Sequence, residues 1–305
     1  MTLPETLLLN EIASIDGKPS GAFNIRINGT SADRFSTESI AITSKTDKQG
    51  IDVRIRKGTK GETVHIPVVI SESGISEVVY NDFYIGDDCD VIIVAGCGIH
   101  NDGCNESKHD GVHSFYIGKN SRVKYIEKHY GSGNGDGKRV MNPVTEAFIG
   151  EGSLLEMDTV QIKGVDSTKR VTNLYLEAEA QTVISEKLMT HGDQYAVSDM
   201  TVELRGEGAN GRIISRSVAK DTSKQVFNPR IVGKADCFGH VRCDSILMDD
   251  AVISSVPAII AEHTNAQLVH EAAIGRIAGD QLLKLMTLGL TEEEAEEKII
   301  EGFLA

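Results

Sequence analysis

Three related tetrapeptides recur at a fixed interval through the middle of the chain. Phe83-Tyr84-Ile85-Gly86 is followed by Phe115-Tyr116-Ile117-Gly118 and then by Ala147-Phe148-Ile149-Gly150, with successive glycines 32 residues apart. An apolar residue stands five places after each glycine: Val91, Val123 and Leu155. A period of this size, kept over two intervals, marks a repeat architecture in which each unit stacks on the next. The stretches between the tetrapeptides carry no sustained helical period, so the units are built of short strands separated by Gly or Asn turns. Weaker echoes at Leu176–Val183, Leu204–Ile213 and Ile231–Phe238 continue the pattern. The chain is therefore expected to be mainly β with a β-solenoid core. The alternative, a large β-sandwich, leaves the repeated spacing to coincidence.

The flanks differ from the core. Pro4 to Ile12 predicts a short amphipathic helix, and Ala22 to Ile70 alternates in the manner of half-buried antiparallel or solenoid strands. GSGNGDGK (131–138) reads as a flexible loop, and Ser215–Pro229 lacks a clean period and reads as a longer excursion. After Gly279 the pattern turns helical. Leu282, Leu283, Leu285 and Met286 share one side, Gly289 is a stop, and Thr291 with Glu294 forms a capping box for a last helix with an acidic first turn. Three parts follow: a mostly β N-terminal region (1–75), a solenoid core (76–274) and a C-terminal helical region (275–305). The two helices either cap the open end of the solenoid, the commoner arrangement, or dock a partner.

Composition narrows the function. The net charge of −14 argues against nucleic acid or an anionic membrane as the main partner. No apolar run approaches the roughly 18 residues of a membrane span, and the acidic N-terminus lacks the basic start of a secretory signal. Five cysteines, an odd number, point to thiols kept free or metal-bound in a reducing cytosol, and so to a cytoplasmic protein. The chain contains no G-x-S-x-G, no H-E-x-x-H and no P-loop, so it is not expected to bind ATP directly. GEGANG (206–211) has dinucleotide-fingerprint spacing but no helical pattern after it, and reads as a turn.

Two clusters can carry chemistry. The stretch 95–113, AGCGIHNDGCNESKHDGVH, reads as one irregular loop offering Cys97, His100, Cys104, His109 and His113 as zinc or iron ligands. Its spacing fits no standard zinc pattern, and the bland alternative is a polar loop with hydrogen-bonded histidines. The second is Asp236–Ala273. There Cys237 and Cys243 are six apart and share a face if both lie on one strand, and the pair His270-Glu271 follows. A lone Cys is most often core, whereas an unpaired carboxylate on a buried rung would be costly.

The C-terminal run from Cys243 to Leu304 resembles the SufB/SufD family of iron–sulfur cluster assembly proteins. The resemblance rests on Cys243-Asp244-Ser245, Val256-Pro257, Glu262–Asn265, His270-Glu271-Ala272, the Gln281-Leu282 helix ending at Gly289, and Glu293-Glu294-Ala295. Farther back, GCGIH, HYG, NP and VELRGEGA are similar to the shorter archaeal and clostridial members that occur as a single SufB-like protein. The resemblance implies a right-handed parallel β-helix whose helical region binds SufC, an ABC-type ATPase. It implies a transient iron–sulfur cluster at the junction of two paired β-helices, with Cys243 as its thiolate, Glu271 as its carboxylate and His270 as the family's histidine. Because one chain carries all three, a homodimer through the β-helix edge can supply every ligand type. The expected role is a non-enzymatic scaffold fed by a sulfur donor. Three departures stand out: no long N-terminal extension, no C-x2-C-x3-C run, and Val269 where an acidic residue is expected. The rival from another class is a zinc or iron enzyme using 97–113. A metal-free binding module is the third reading.

Overall fold

The computed structural model describes residues 2–15 and 17–305. The repeat is a β-solenoid, each turn giving one strand to each of two facing sheets. In spatial order the first sheet holds Thr30–Phe35, Ala22–Ile27, Lys60–Ile70, Asp90–His100, Arg122–Ser132, Leu154–Lys163, Gln181–Thr190, Asn210–Ala219, Phe238–Leu247 and Gln267–Gly275. The second runs Ile40–Ser44, Gly50–Ile55, Ser76–Ile85, Ser107–Ile117, the pair Arg139–Met141 and Val144–Ile149, Ser167–Leu176, Tyr195–Leu204, Lys224–Gly233, and the pair Val252–Ser255 and Ala258–Ala261. The two paired positions are strands interrupted around Pro143 and Pro257, where a missing backbone N–H breaks the ladder. All described pairings are parallel except two antiparallel hairpins near the N-terminus, Ala22–Ile27 with Thr30–Phe35 and Ile40–Ser44 with Gly50–Ile55. The alternation expected over 22–70 thus serves both purposes: hairpins first, then solenoid.

The tetrapeptides sit one above another. Phe83 and Phe115 point inward and stack with ring centroids 4.5 Å apart, while Tyr84, Tyr116, Phe148 and Tyr175 stack on the outer face at 5.1, 5.4 and 5.0 Å. Arg54 and Arg205 close the two ends of this outer ladder over Tyr84 and Tyr175. The glycines form the corner beneath. A Cβ on Gly118 would lie 2.7 Å from Gly86, and one on Gly150 2.7 Å from the Gly118 carbonyl oxygen, so stacked corners leave no room for a side chain.

The period then changes. Asp90 pairs with Arg122, and Arg122 with Leu154, at offsets of 32. Leu154, Gln181, Asn210, Phe238 and Gln267 then pair in turn at offsets of 27, 29, 28 and 29. The early turns carry corners of six residues, 101–106 and 133–138, where later ones have three or four, as at 164–166 and 191–194. This shortening is why the later echoes are weak in the sequence. Two expectations are corrected by the same geometry. Ser215–Pro229 is no excursion; it is the end of Asn210–Ala219, a corner, and the start of Lys224–Gly233. Residues 95–113 are not one loop; they are the ends of two strands joined by the corner 101–106. GEGANG turns a corner over 206–209, as expected, and its last two residues open the strand Asn210–Ala219.

Two of the three helices pack on the first sheet, and the other lies against its neighbouring helix. Helix α1 (Leu3–Ala13) begins with a Thr2/Glu5 capping box and lays Leu8, Leu9 and Ile12 on the sheet's outer face. Gly96 makes room for it: a Cβ there would stand 2.6 Å from the Ile12 carbonyl oxygen. Helix α2 (Gly279–Thr287) buries no residue, and Leu283, Met286 and Leu288 are exposed. Helix α3 (Glu292–Leu304) has the expected Thr291/Glu294 box and packs Ile300 and Leu304 on Val218, with Met189 and Ile246 beside them. These are outward positions, so α3 lies along the side of the solenoid and does not cap its open end.

Candidate functional site

Strand parity decides which residues of the C-terminal cluster meet. On Phe238–Leu247, Gly239, Val241 and Cys243 face the interior and His240, Arg242 and Asp244 face out. The parallel register sets Val241 beside His270, Cys243 beside Ala272 and Arg242 beside Glu271. His270 therefore shares the inner face with Cys243, whose Sγ lies 3.7 Å from the imidazole Nε2. Glu271 falls on the opposite face. Its side chain is 61 % exposed, with Oε2 3.5 Å from His240 Nε2. Within one chain the structure joins thiol and imidazole and sets the carboxylate apart. Cys237 is buried in the corner before the strand, so the shared-face argument does not reach it. Burial pushes the Cys243 thiol up to about 11, the nearby Ser255 hydroxyl works against that, and the Glu186 and Asp244 carboxylates add to it. The sulfur is a neutral thiol at neutral pH.

Of the five candidates of 95–113, Cys97, His109 and His113 face one small interior cavity, while His100 and Cys104 lie apart from it at the strand end and on the corner. Cys97 is buried inside, and burial raises its thiol well above the ordinary value. His100 ends its strand and bonds Ser132 Oγ at 3.0 Å and Asp102 at 2.9 Å. Cys104 is exposed on the corner. His109 is buried, with Nδ1 3.0 Å from Glu77 Oε1, itself paired to Arg26. His113 is buried between the Tyr125 hydroxyl, 2.7 Å from Nδ1, and Asn81, 3.2 Å from Nε2. Among the described residues no three His, Cys, Asp or Glu side chains are gathered as a metal ion requires.

The strands opposite and below supply what the sequence reading missed. In the first sheet the inward positions Glu127, Thr159, Glu186, Ser215 and Cys243 stack in consecutive register. The Tyr125 hydroxyl donates to Glu127 at 2.9 Å, and Arg170 from the second sheet pairs with Glu127 and stands 3.9 Å from Glu186. Ser198 and Ser215 donate to Glu186 at 2.6 and 2.9 Å. Burial works to raise Glu127, but Arg170 and His129 outweigh it and hold the carboxyl well below the usual range. Two cavities of about 10 Å³ flank this file, each the size of one water. Cys97, His109, His113, Glu127 and His129 line the first; Thr159, Gln161, Arg170, Glu186 and Ser198 are among those lining the second. A polar file thus runs through the core to the rung of Cys243. The signal for it was present: Glu127, Thr159 and Ser215 occupy inward places in alternating strands where an apolar residue is the rule.

The model of the SUF system FeS cluster assembly SufBD core domain matches residues 91–303. The chain belongs to the SufBD family. Similar proteins include the iron-sulfur cluster assembly SufBD family protein of Methanocaldococcus jannaschii, 29% identical over 274 residues, 88% of this chain and 85% of the relative. One from Methanothermobacter thermautotrophicus (strain Delta H) is 28% identical over 240 residues, 77% of this chain and 57% of that protein. One from Archaeoglobus fulgidus is 25% identical over 267 residues, 86% of this chain and 70% of the relative. The chain spans little more than half the length of the Methanothermobacter relative.

In this SufBD chain the match begins at Val91 and takes in both Cys97 and the Cys243–His270 pair, leaving α1 and the two hairpins outside it. At its far end the first sheet terminates in Gln267–Gly275, whose other edge pairs with no described strand. Val252, Val256, Ile259, Val269 and Ile274 are exposed around that end. No described helix is long and apolar enough to cross a membrane.

Proposed function

We propose that this SufBD chain is a scaffold that holds a nascent iron–sulfur cluster as cargo, with Cys243 as the thiolate ligand and His270 beside it. The observation that carries this is the Cys243–His270 approach of 3.7 Å on the last two rungs of the first sheet. Thiolate is the ligand of choice for iron–sulfur centres, and imidazole is a weaker, exchangeable partner, which suits a cargo that must leave. Glu271 on the outer face supports a second element of the reading. Two copies joined at the open edge, with its exposed apolar side chains, would offer one copy's carboxylate to the other's thiol. The unpartnered apolar face of α2 supports docking of a SufC-like ABC ATPase, whose nucleotide cycle would move the paired solenoids. Sulfur reaches the scaffold from a donor protein, and the chain itself catalyses no reaction.

Anaerobic reconstitution with iron and sulfide tests the site. Cys243→Ala is expected to lose the oxygen-labile brown chromophore while melting as the wild type does. A full yield of chromophore in that variant sinks the assignment. A stoichiometric, oxygen-stable zinc lost on Cys97 substitution would instead favour the metalloenzyme.

A further inference from the structure

Helix α3 does not lie flush on the first sheet along its whole length. Between it and the ends of Leu154–Lys163 and Gln181–Thr190 a slot of about 660 Å³ stays open. That volume is in the range of small-molecule sites. Its walls are apolar, with Ile162 and Met189 from the sheet and Ile300 and Leu304 from the helix. Beside it lies a polar pocket of about 370 Å³, bounded by the corners around Gly133, Gly164 and Gly192. Lys163 and His191 line both, and so stand where slot and pocket meet.

The strand is built to put Lys163 there. Gln161 pairs with His129 but Lys163 pairs with Tyr130, so Ile162 is the extra residue of a β-bulge. Gln161 is buried and faces in; by plain alternation Ile162 would face out and Lys163 in. The bulge moves Lys163 into the outer register of Tyr130, and both Ile162 and Lys163 are exposed. Bulges recur where a side chain must be re-aimed. The ammonium of Lys163 has the Tyr130 ring 6.0 Å away, and among the described residues no carboxylate pairs with it. Lys220, also on the rim, is engaged with Glu296 at 3.8 Å. The acids of the slot, Glu297 and Glu301, belong to the helix wall, where Lys298 holds Glu301 at 2.6 Å.

We propose that this slot binds an amphipathic monoanion, a medium-chain carboxylate, with its chain between the sheet and α3 and its head on Lys163. Charge complementarity decides the class. A wholly apolar ligand would leave Lys163 unmatched, and a ligand with several negative charges would meet Glu297 and Glu301 on the other wall. The proposal goes beyond the scaffold reading and depends on neither Cys243 nor a cluster.

Isothermal titration calorimetry of the full chain with decanoate, decanol and acetate tests this. Decanoate is expected to saturate at a single molecule per chain. Decanol should bind about ten-fold more weakly for want of the charge-assisted contact, and acetate, a head without a chain, should not register. Raising the salt should weaken decanoate and leave decanol no weaker. Lys163→Met keeps the apolar stem and drops the charge. It should lower decanoate to the decanol affinity while the melting temperature stays at the wild-type value. Ile162→Asp should remove both ligands. Equal wild-type affinities for decanoate and decanol, decanoate binding untouched by Lys163→Met, uptake that never saturates at one per chain, or no binding of decanoate at all overturns the proposal.

Discussion

His113 shows what a titratable side chain does when folded into this interior. Burial pushes its pKa down to about 4; Glu127 works the other way, and His109, His129 and Arg170 add to the lowering. The folded state keeps the imidazole neutral where the unfolded chain, near 6.5, has begun to take up a proton. The unfolded state thus binds more protons between pH 6.5 and 4, and stability falls as the pH is lowered through that window. The loss amounts to about 3 kcal/mol by pH 4. Glu127 adds a further loss at more acidic pH, because its depressed carboxyl must take a proton to unpair from Arg170. Urea midpoints taken from pH 7 to pH 4 should decline, and His113→Gln should flatten the decline. An equal slope in the variant would show that the acid sensitivity lies elsewhere. The family resemblance, not spacing or residue identity, marked Cys243, His270 and Glu271 in the sequence, and it set them across two copies; that Cys243 and His270 meet within one chain is read from the register. The separation of Glu271 was not legible, because adjacent residues on a strand face opposite ways and only the established register says which way each faces.

At the scale of elements, the fate of the two C-terminal helices divides. Their existence, the Thr291/Glu294 box and the stop at Gly289 were all legible, since capping is written in local sequence. Their position was not: an apolar face says that a helix packs, without saying on what. Helix α3 found the outer face at Val218, and α2 kept Leu283 and Met286 in solvent. Leu283→Glu with Met286→Glu should abolish capture of a SufC-like ATPase in a pull-down while leaving the melting temperature where it was. Retained capture would move the docking surface off α2. The strands follow the same logic. Phe-Tyr-Ile-Gly was readable because an aromatic ladder and a side-chain-free corner repeat it. Ser215–Pro229 was unreadable because Ser215, Ser217 and Gln225 point inward, where the apolar–polar rule expects the reverse.

Taken whole, the molecule has two unlike ends. At the first, α1 and the hairpins cover the early rungs. At the other, a free edge is ringed by apolar side chains, a surface that natural sheets normally block with charge. If two copies meet there, Val269→Lys with Ile274→Lys should give a monomer by size-exclusion chromatography with light scattering where the wild type is a dimer. A monomeric wild type would exclude the edge-paired scaffold. Fold class was legible at this scale because a repeat reports on itself; the number of turns was not, since the period shortens after Gly150.

The free edge has a consequence for the rungs next to it. In a stacked array each unit is held by its neighbours on both sides, and the last by one alone. Gln267–Gly275 is that last unit, and it carries His270. Local opening therefore begins where the candidate ligands lie, while the buried Glu127–Arg170 pair stays locked several rungs deeper. A holder built on the layer that frays first can part with its contents without the rest of the molecule unfolding, and anything that seals that layer would also hold the contents in place.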